Sequence, residues 1–243
     1  SGKIFFYAVD GGKRSNSGAM VGLSKDEGKT WQFGSMQLET KGEPNEVVDP
    51  EIILLANGKL RLYYVVFTME NPTLDSSGQP IKNTGKSTYR IKSAISEDGV
   101  NFTEEEGSRL EYSEVMTDPD VIFIGNKWYM YMSKGMENIA YVSDNGLDFT
   151  LLKPIRSDGS ISKTVDVGDG NFRQFFCKNG ISSAVTRDGL IFTNEVVSLR
   201  GDKPGIICDP TPVKLGDGSW LMLYKFEEQN LRPGENGPNN PPM

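Results

Sequence analysis

Short apolar runs bounded by turn residues recur along the chain. Asp49-Pro50-Glu51-Ile52-Ile53-Leu54-Leu55 passes through Asn57-Gly58-Lys59 into Leu60-Arg61-Leu62-Tyr63-Tyr64. Asp118-Pro119-Asp120-Val121-Ile122-Phe123-Ile124 passes through Gly125-Asn126-Lys127 into Trp128-Tyr129-Met130-Tyr131. Asp209-Pro210-Thr211-Pro212-Val213-Lys214-Leu215 passes through Gly216-Asp217-Gly218 into Ser219-Trp220-Leu221-Met222-Leu223-Tyr224. Each reads as a strand, a tight turn and a second strand.

A different pattern falls between these pairs. It is Ser24-Lys25-Asp26-Glu27-Gly28-Lys29-Thr30-Trp31, then Ser96-Glu97-Asp98-Gly99-Val100-Asn101-Phe102. It returns as Ser143-Asp144-Asn145-Gly146-Leu147-Asp148-Phe149 and Thr186-Arg187-Asp188-Gly189-Leu190-Ile191-Phe192. Asp and Asn bond their own backbone, Gly accepts positive φ, and the aromatic packs under the turn. Gly99 to Gly146 is 47 residues, and Gly146 to Gly189 is 43. Two strand pairs per repeat of about 45 residues is the period of a propeller blade.

The expected fold is therefore all-β, a β-propeller of five blades, with four as the alternative count. The unit from Lys3 to Phe33 shows three strands and lacks the innermost one. The unit from Ile206 to Phe226 shows two. One domain is expected over residues 1–226, with a Pro/Gly/Asn-rich tail over residues 227–243. In the fourth unit the position matching Asp118 falls near Ile161 or Ser162, and no Asp-Pro stands there.

In a four-stranded up-and-down blade, the start of the first strand and the loop between strands two and three share one rim. Asp49, Asp118 and Asp209 should thus share a rim around the axis with Met69-Glu70-Asn71 and Met136-Glu137-Asn138. The Ser-Asp-Gly turns fall on the opposite rim, where their role is structural. The longest insertion, Met69 to Tyr89, lies on the aspartate rim, where it can cover a pocket or simply pack as a loop.

Composition narrows the chemistry. With no histidine in 243 residues, Ser-His-Asp and Cys-His systems and His-ligated zinc are excluded. Acid–base work falls to Asp, Glu, Tyr or Lys, and acidic residues number 33. A formal charge of −7 gives no footprint for nucleic acid or an anionic membrane. No apolar run is long enough to cross a membrane as a helix. No leader-like segment opens the chain, and the start at Ser1-Gly2 without Met reads as trimmed. Cys177 and Cys208 read first as buried thiols, with one disulfide as the alternative. Trp128 and Trp220 read as core, and Trp31 as part of its turn. No calcium-loop motif is present, and no cofactor is expected.

The Ser-x-Asp-x-Gly-x-x-aromatic turn resembles the Asp box (BNR repeat) of sialidases and related propellers. The Asp-Pro strand starts resemble those of five-bladed glycosidases: the arabinanase and β-xylosidase group, the invertase and levanase group, and the mannoside phosphorylases. The resemblance covers about residues 3–226. A true sialidase would resemble a larger propeller with an arginine triad, for which the sequence shows no matching placement. The resemblance implies a general base at Asp49, a tuning aspartate at Asp118 and a glutamic acid on the next blade. No Glu occurs from residue 151 to 194, so Glu70 or Glu137 would supply that acid from a neighbouring loop. The candidate catalytic set is Asp49, Asp118, Asp209, Glu70 and Glu137. The implied function is a glycoside hydrolase acting on an oligosaccharide; the alternative is a non-catalytic propeller that binds carbohydrate or protein. A monomer is expected, secreted or periplasmic.

Overall fold

The computed structural model describes residues 2–10, 17–42, 46–70, 73, 75–78, 86–200 and 205–228, without the side chains of 69, 70, 86, 87 and 196–198. Every regular element among them is a strand.

The first sheet runs β1 (Ile4–Val9), β2 (Ala19–Ser24), β3 (Gln32–Ser35). The second is built from β4 (Gln37–Glu39), β5 (Val48–Leu54), β6 (Leu60–Glu70), β7 (Lys86–Ser96), β8 (Asn101–Glu104) and β9 (Leu110–Tyr112), in the order β4-β8-β7-β6-β5 with β9 also on β7. The third is β10 (Thr117–Ile124), β11 (Lys127–Lys134), β12 (Glu137–Ser143), β13 (Thr150–Arg156). The fourth is β14 (Ser160–Gly168), β15 (Asn171–Cys177), β16 (Ile181–Thr186), β17 (Thr193–Leu199). Last comes a two-stranded ribbon, β18 (Gly205–Lys214) and β19 (Trp220–Glu228).

The strands β5, β10, β14 and β18 stand side by side around an axis, each as the innermost of its sheet. This is a β-propeller. Among the described residues four sheets have three or more strands, so the blade count matches the alternative of four rather than five. The reason is local: the C-terminal unit forms only an inner pair, and the ribbon stands between the fourth and first sheets. There Gly216 N donates to Glu27 Oε1 at 3.3 Å, and Leu221 lies against Gly28. The expected tail begins inside β19, which runs to Glu228; residues 229–243 lie outside the described residues.

Apolar residues on alternate strand positions meet between sheets rather than within one. Tyr63, Val65 and Ile91 pack on Val121, Met130 and Met132 between the second and third sheets. Ile124, Tyr129 and Tyr131 meet Phe172, Leu190 and Phe192 between the third and fourth. Burying one such large side chain contributes roughly 1.5–3 kcal/mol.

A repeated clasp sets the spacing between neighbours. Tyr7 Oη donates to Gly99 O (2.8 Å), Tyr63 Oη to Gly146 O (2.7 Å) and Tyr131 Oη to Gly189 O (2.9 Å). Each tyrosine thus reaches the Ser-Asp-Gly turn of the next sheet. A Cβ on Gly99 or Gly189 would stand 2.9 Å from an aromatic side chain, and both residues have positive φ, 79° and 75°. Glycine is required there for both conformation and space.

Three expectations change. Met69–Glu70 and Lys86–Tyr89 belong to strands, because β6 and β7 stay paired as far as Glu70 and Lys86; within the insertion between them, residues 71, 72, 74 and 79–85 lie outside the described residues. Cys177 and Cys208 are not thiols but a disulfide with Cα atoms 5.2 Å apart. Trp220 is 40% exposed rather than core, since no further described strand pairs with β19. Trp31 does serve its turn, donating from Nε1 to Gly28 O at 3.0 Å.

Candidate active site

The inner strands share one irregularity. Their pairing with the second strand slips between Val48 and Glu51, Thr117 and Asp120, Ser160 and Lys163, and Cys208 and Thr211. At each slip one residue takes a left-handed backbone: Asp49 (φ 50°), Asp118 (52°), Ile161 (52°) and Asp209 (54°). These are bulges. Asp tolerates left-handed φ better than most residues, and Pro, which has no N–H for the ladder, fits a bulge. The Asp-Pro pair is thus a local bulge signal, repeated around the axis. Ile161 fills the fourth equivalent position, within the interval that repeat spacing assigns it.

The bulges deliver their residues to one cavity of about 640 Å³, within the usual size of ligand pockets, about 300–1,000 Å³. Asp49, Asp118, Ile161 and Asp209 all line it. Phe6 and Tyr224 add an aromatic wall on the side of β1 and β19. Glu137 is not among the lining residues. It opens β12 as the register partner of Lys134 across a tight hairpin. Glu70 ends β6, but its side chain lies outside the described residues.

The aspartates are close enough to perturb one another. Asp118 N donates to Asp49 Oδ2 at 3.3 Å. Burial, reinforced by the Asp49 and Asp209 charges, pushes Asp118 up to about 7, against the bond from Thr117. Burial also raises Asp49, partly offset by the Asp118 N–H, with Asp209 adding to the rise. Burial raises Asp209 too, with Lys225 opposing. Asp118 thus keeps its proton to about 7, and Asp49 and Asp209 are raised as well, so one carboxyl can act as acid while another acts as base.

Beside them lies a charge network that sequence reasoning missed. Two residues beyond the bulge positions stand Glu51, Asp120 and Lys163. Lys163 Nζ bonds Glu51 Oε1, and Val121 N donates to the same oxygen at 3.2 Å. Burial pushes Glu51 up to about 7 despite the Lys163 ammonium. Burial pulls Lys163 down, but Glu51 and Asp120 outweigh it and leave it raised. Asp120 is fully buried and accepts from Thr164 N (2.9 Å), Thr164 Oγ1 (2.7 Å) and Ser162 Oγ (3.0 Å). The acidic third residue of Asp49-Pro50-Glu51 and Asp118-Pro119-Asp120 was the available signal. Among the described residues no group of three or more Asp, Glu, Cys or His is arranged to hold a metal ion.

No family model matches the sequence, and no curated protein matches it. Solved structures do resemble the fold. The GH43 protein BlXynB of Bacillus licheniformis superposes with a TM-score of 0.64 at 13% identity, over 95% of this chain and 47% of that one. An endo-1,4-β-xylanase of Bacteroides thetaiotaomicron gives 0.61 at 16% identity, over 92% and 80%. The GH32 β-fructofuranosidase of Bombyx mori gives 0.58 at 15% identity, over 95% and 54%. The chain spans about half the length of the first and third of these. At such identities the likeness shows the fold: that of the glycoside-hydrolase propellers.

Proposed function

We propose that the central cavity binds a saccharide and that its aspartates hydrolyse a glycosidic bond. Asp118, protonated near neutral pH, donates to the leaving oxygen, and Asp209 or Asp49 takes the proton of the attacking water. The observation that carries this reading is the convergence of three equivalent aspartates on one cavity, each raised by burial. The fold shared with glycoside hydrolases supports it. Because the acid must hold its proton, turnover falls as pH rises through about 7.

The test is a screen of aryl glycosides and oligosaccharides on the protein and on Asp118→Asn and Asp209→Asn. Hydrolysis that drops by about 10²-fold or more in Asp118→Asn supports the proposal; equal turnover in all three overturns it. A second reading, a saccharide-binding propeller without turnover, is favoured by Ile161 in the fourth bulge and the lack of Glu from 151 to 194. It predicts saccharide binding that survives Asp118→Asn with no hydrolysis by any of the three. For location the proposal is secreted or periplasmic, supported by the disulfide, since such bonds persist in oxidising compartments.

A further inference from the structure

A left-handed residue in a bulge leaves its own N–H out of the ladder, so the preceding sheet must accept it. Asp118 N donates to Asp49 Oδ2 at 3.3 Å, Ile161 N to Ser133 Oγ at 2.7 Å, and Asp209 N to Cys177 Sγ at 3.3 Å. Ser133 and Cys177 are equivalent: each pairs with the residue just before the bulge of its own sheet, Thr117 and Ser160. The acceptor that is a hydroxyl in the third sheet is a sulfur in the fourth. That sulfur is bonded covalently to Cys208, the neighbour of Asp209.

The bridge falls where the fold is thinnest. A two-stranded ribbon is marginal alone, and no further described strand pairs with β19. Trp220, Tyr224 and Phe226 on it are each at least 40% exposed. Yet this ribbon must hold Asp209 half-buried in the cavity wall, where its charge is disfavoured.

We propose that the Cys177–Cys208 disulfide is the positioning clasp of Asp209, so that the cavity has its third carboxylate in place only in the oxidised protein. Reduction by a dithiol delivers two electrons and two protons; the S–S bond becomes two cysteine thiols and the reductant becomes a disulfide. β18 and β19 then loosen from β15, and Asp209 moves into water. The effect on a ligand rests on the saccharide reading, but the clasp itself can be measured without one.

The measurements are amide hydrogen exchange and carbon-13 NMR titration of the aspartate carboxyls. They are made on the oxidised protein, the dithiothreitol-reduced protein, and the pairs Cys177→Ala/Cys208→Ala and Cys177→Ser/Cys208→Ala. Reduction should speed exchange in residues 205–228 at least tenfold, leave residues 117–156 unchanged, and lower the Asp209 midpoint toward the ordinary carboxylate range. The alanine pair should match it. The serine pair should keep part of the raised midpoint, its hydroxyl accepting from Asp209 N–H as Ser133 does from Ile161. If the alanine pair does not fold, the reduced protein carries the comparison. An unchanged Asp209 midpoint after reduction, or exchange accelerated equally in all sheets, would overturn the proposal. Neither readout involves a saccharide or turnover, so a failed hydrolase reading leaves this result intact.

Discussion

At the turn end of the molecule, Asp26, Asp98 and Asp188 fold back on their own loops, whereas at the cavity end Asp49, Asp118 and Asp209 face one another under cover. Asp98 accepts from Asn101 N and Val100 N, both at 2.8 Å, and Asp188 from Ile191 N and Leu190 N at 2.8 and 2.9 Å. Hydrogen bonds from the Thr30 hydroxyl and N–H hold Asp26 down at about 2, and those from Asn101 and Ile191 hold Asp98 and Asp188 low. The cavity set moves the opposite way because burial outweighs its few donors. One residue type, repeated by one architecture, thus fixes loops at one end and holds protons at the other. The signs for stability follow. The turn set contributes above about 4, and that contribution is lost as pH falls through its depressed values. The cavity set is least costly below about 4, and stability drains as pH rises above that, for Asp118 through about 7.

Substitutions at the two ends would break or sharpen this contrast. The largest effect is expected at the cavity end from Lys163→Met, which strands Glu51 as an unpaired buried charge and costs roughly 3–5 kcal/mol in urea unfolding at pH 8. Adding Glu51→Gln should recover most of it; a single variant as stable as the parent would mean that Glu51 bears no buried charge. At the turn end, Gly189→Ala drives a Cβ toward the Tyr131 hydroxyl, 2.9 Å away. Unfolding should be easier by about 2–3 kcal/mol, against about 1 for Gly125→Ala, where the space is open but φ is also positive. Equal losses would show that backbone conformation alone matters.

Asp118→Asn removes a carboxyl that the fold disfavours. It should raise stability by roughly 2 kcal/mol at pH 8 and hardly at pH 4, followed as melting temperature against pH. Its mirror at the turn end, Asp98→Asn, should keep the backbone bonds, as Asn145 does in the next turn by accepting from Leu147 N and Asp148 N, but lose the contribution of the charge, a small drop in stability at pH 7 that vanishes in acid. A pH-independent gain at Asp118 would remove the contrast. A small gain is expected from Ile161→Asn. Replacing a β-branched residue at φ 52° by one that tolerates it should add about 0.5–1 kcal/mol, visible as a slightly higher urea midpoint.

Strand pairs, turn rims and the missing aspartate of the fourth unit were legible because each is written within about ten residues and then repeated. What lay beyond that range was not. Glu51 and Lys163 are 112 residues apart, and nothing local to Lys163 marks it as a partner. Cys177 and Cys208 carry no signature that distinguishes a bridge from two thiols. The blade count was misjudged because strand pairs, not sheets, are what the pattern counts. Glu137 opens β12 and does not line the cavity for a related reason: sharing a rim is decided by topology, whereas reaching the cavity depends on hairpin length.

The tyrosine clasps have a consequence for how the chain reaches this structure. Their partners are separated by 92, 83 and 58 residues. Each closes only after the following repeat has been made, so the ring assembles against a high contact order. Such topologies fold in milliseconds to seconds or slower rather than microseconds. During that interval each newly formed sheet presents its apolar flank to solvent, and to other chains, until its successor arrives. Synthesis from the N-terminus therefore suits this clasp direction: every tyrosine is in place before the carbonyl it will hold.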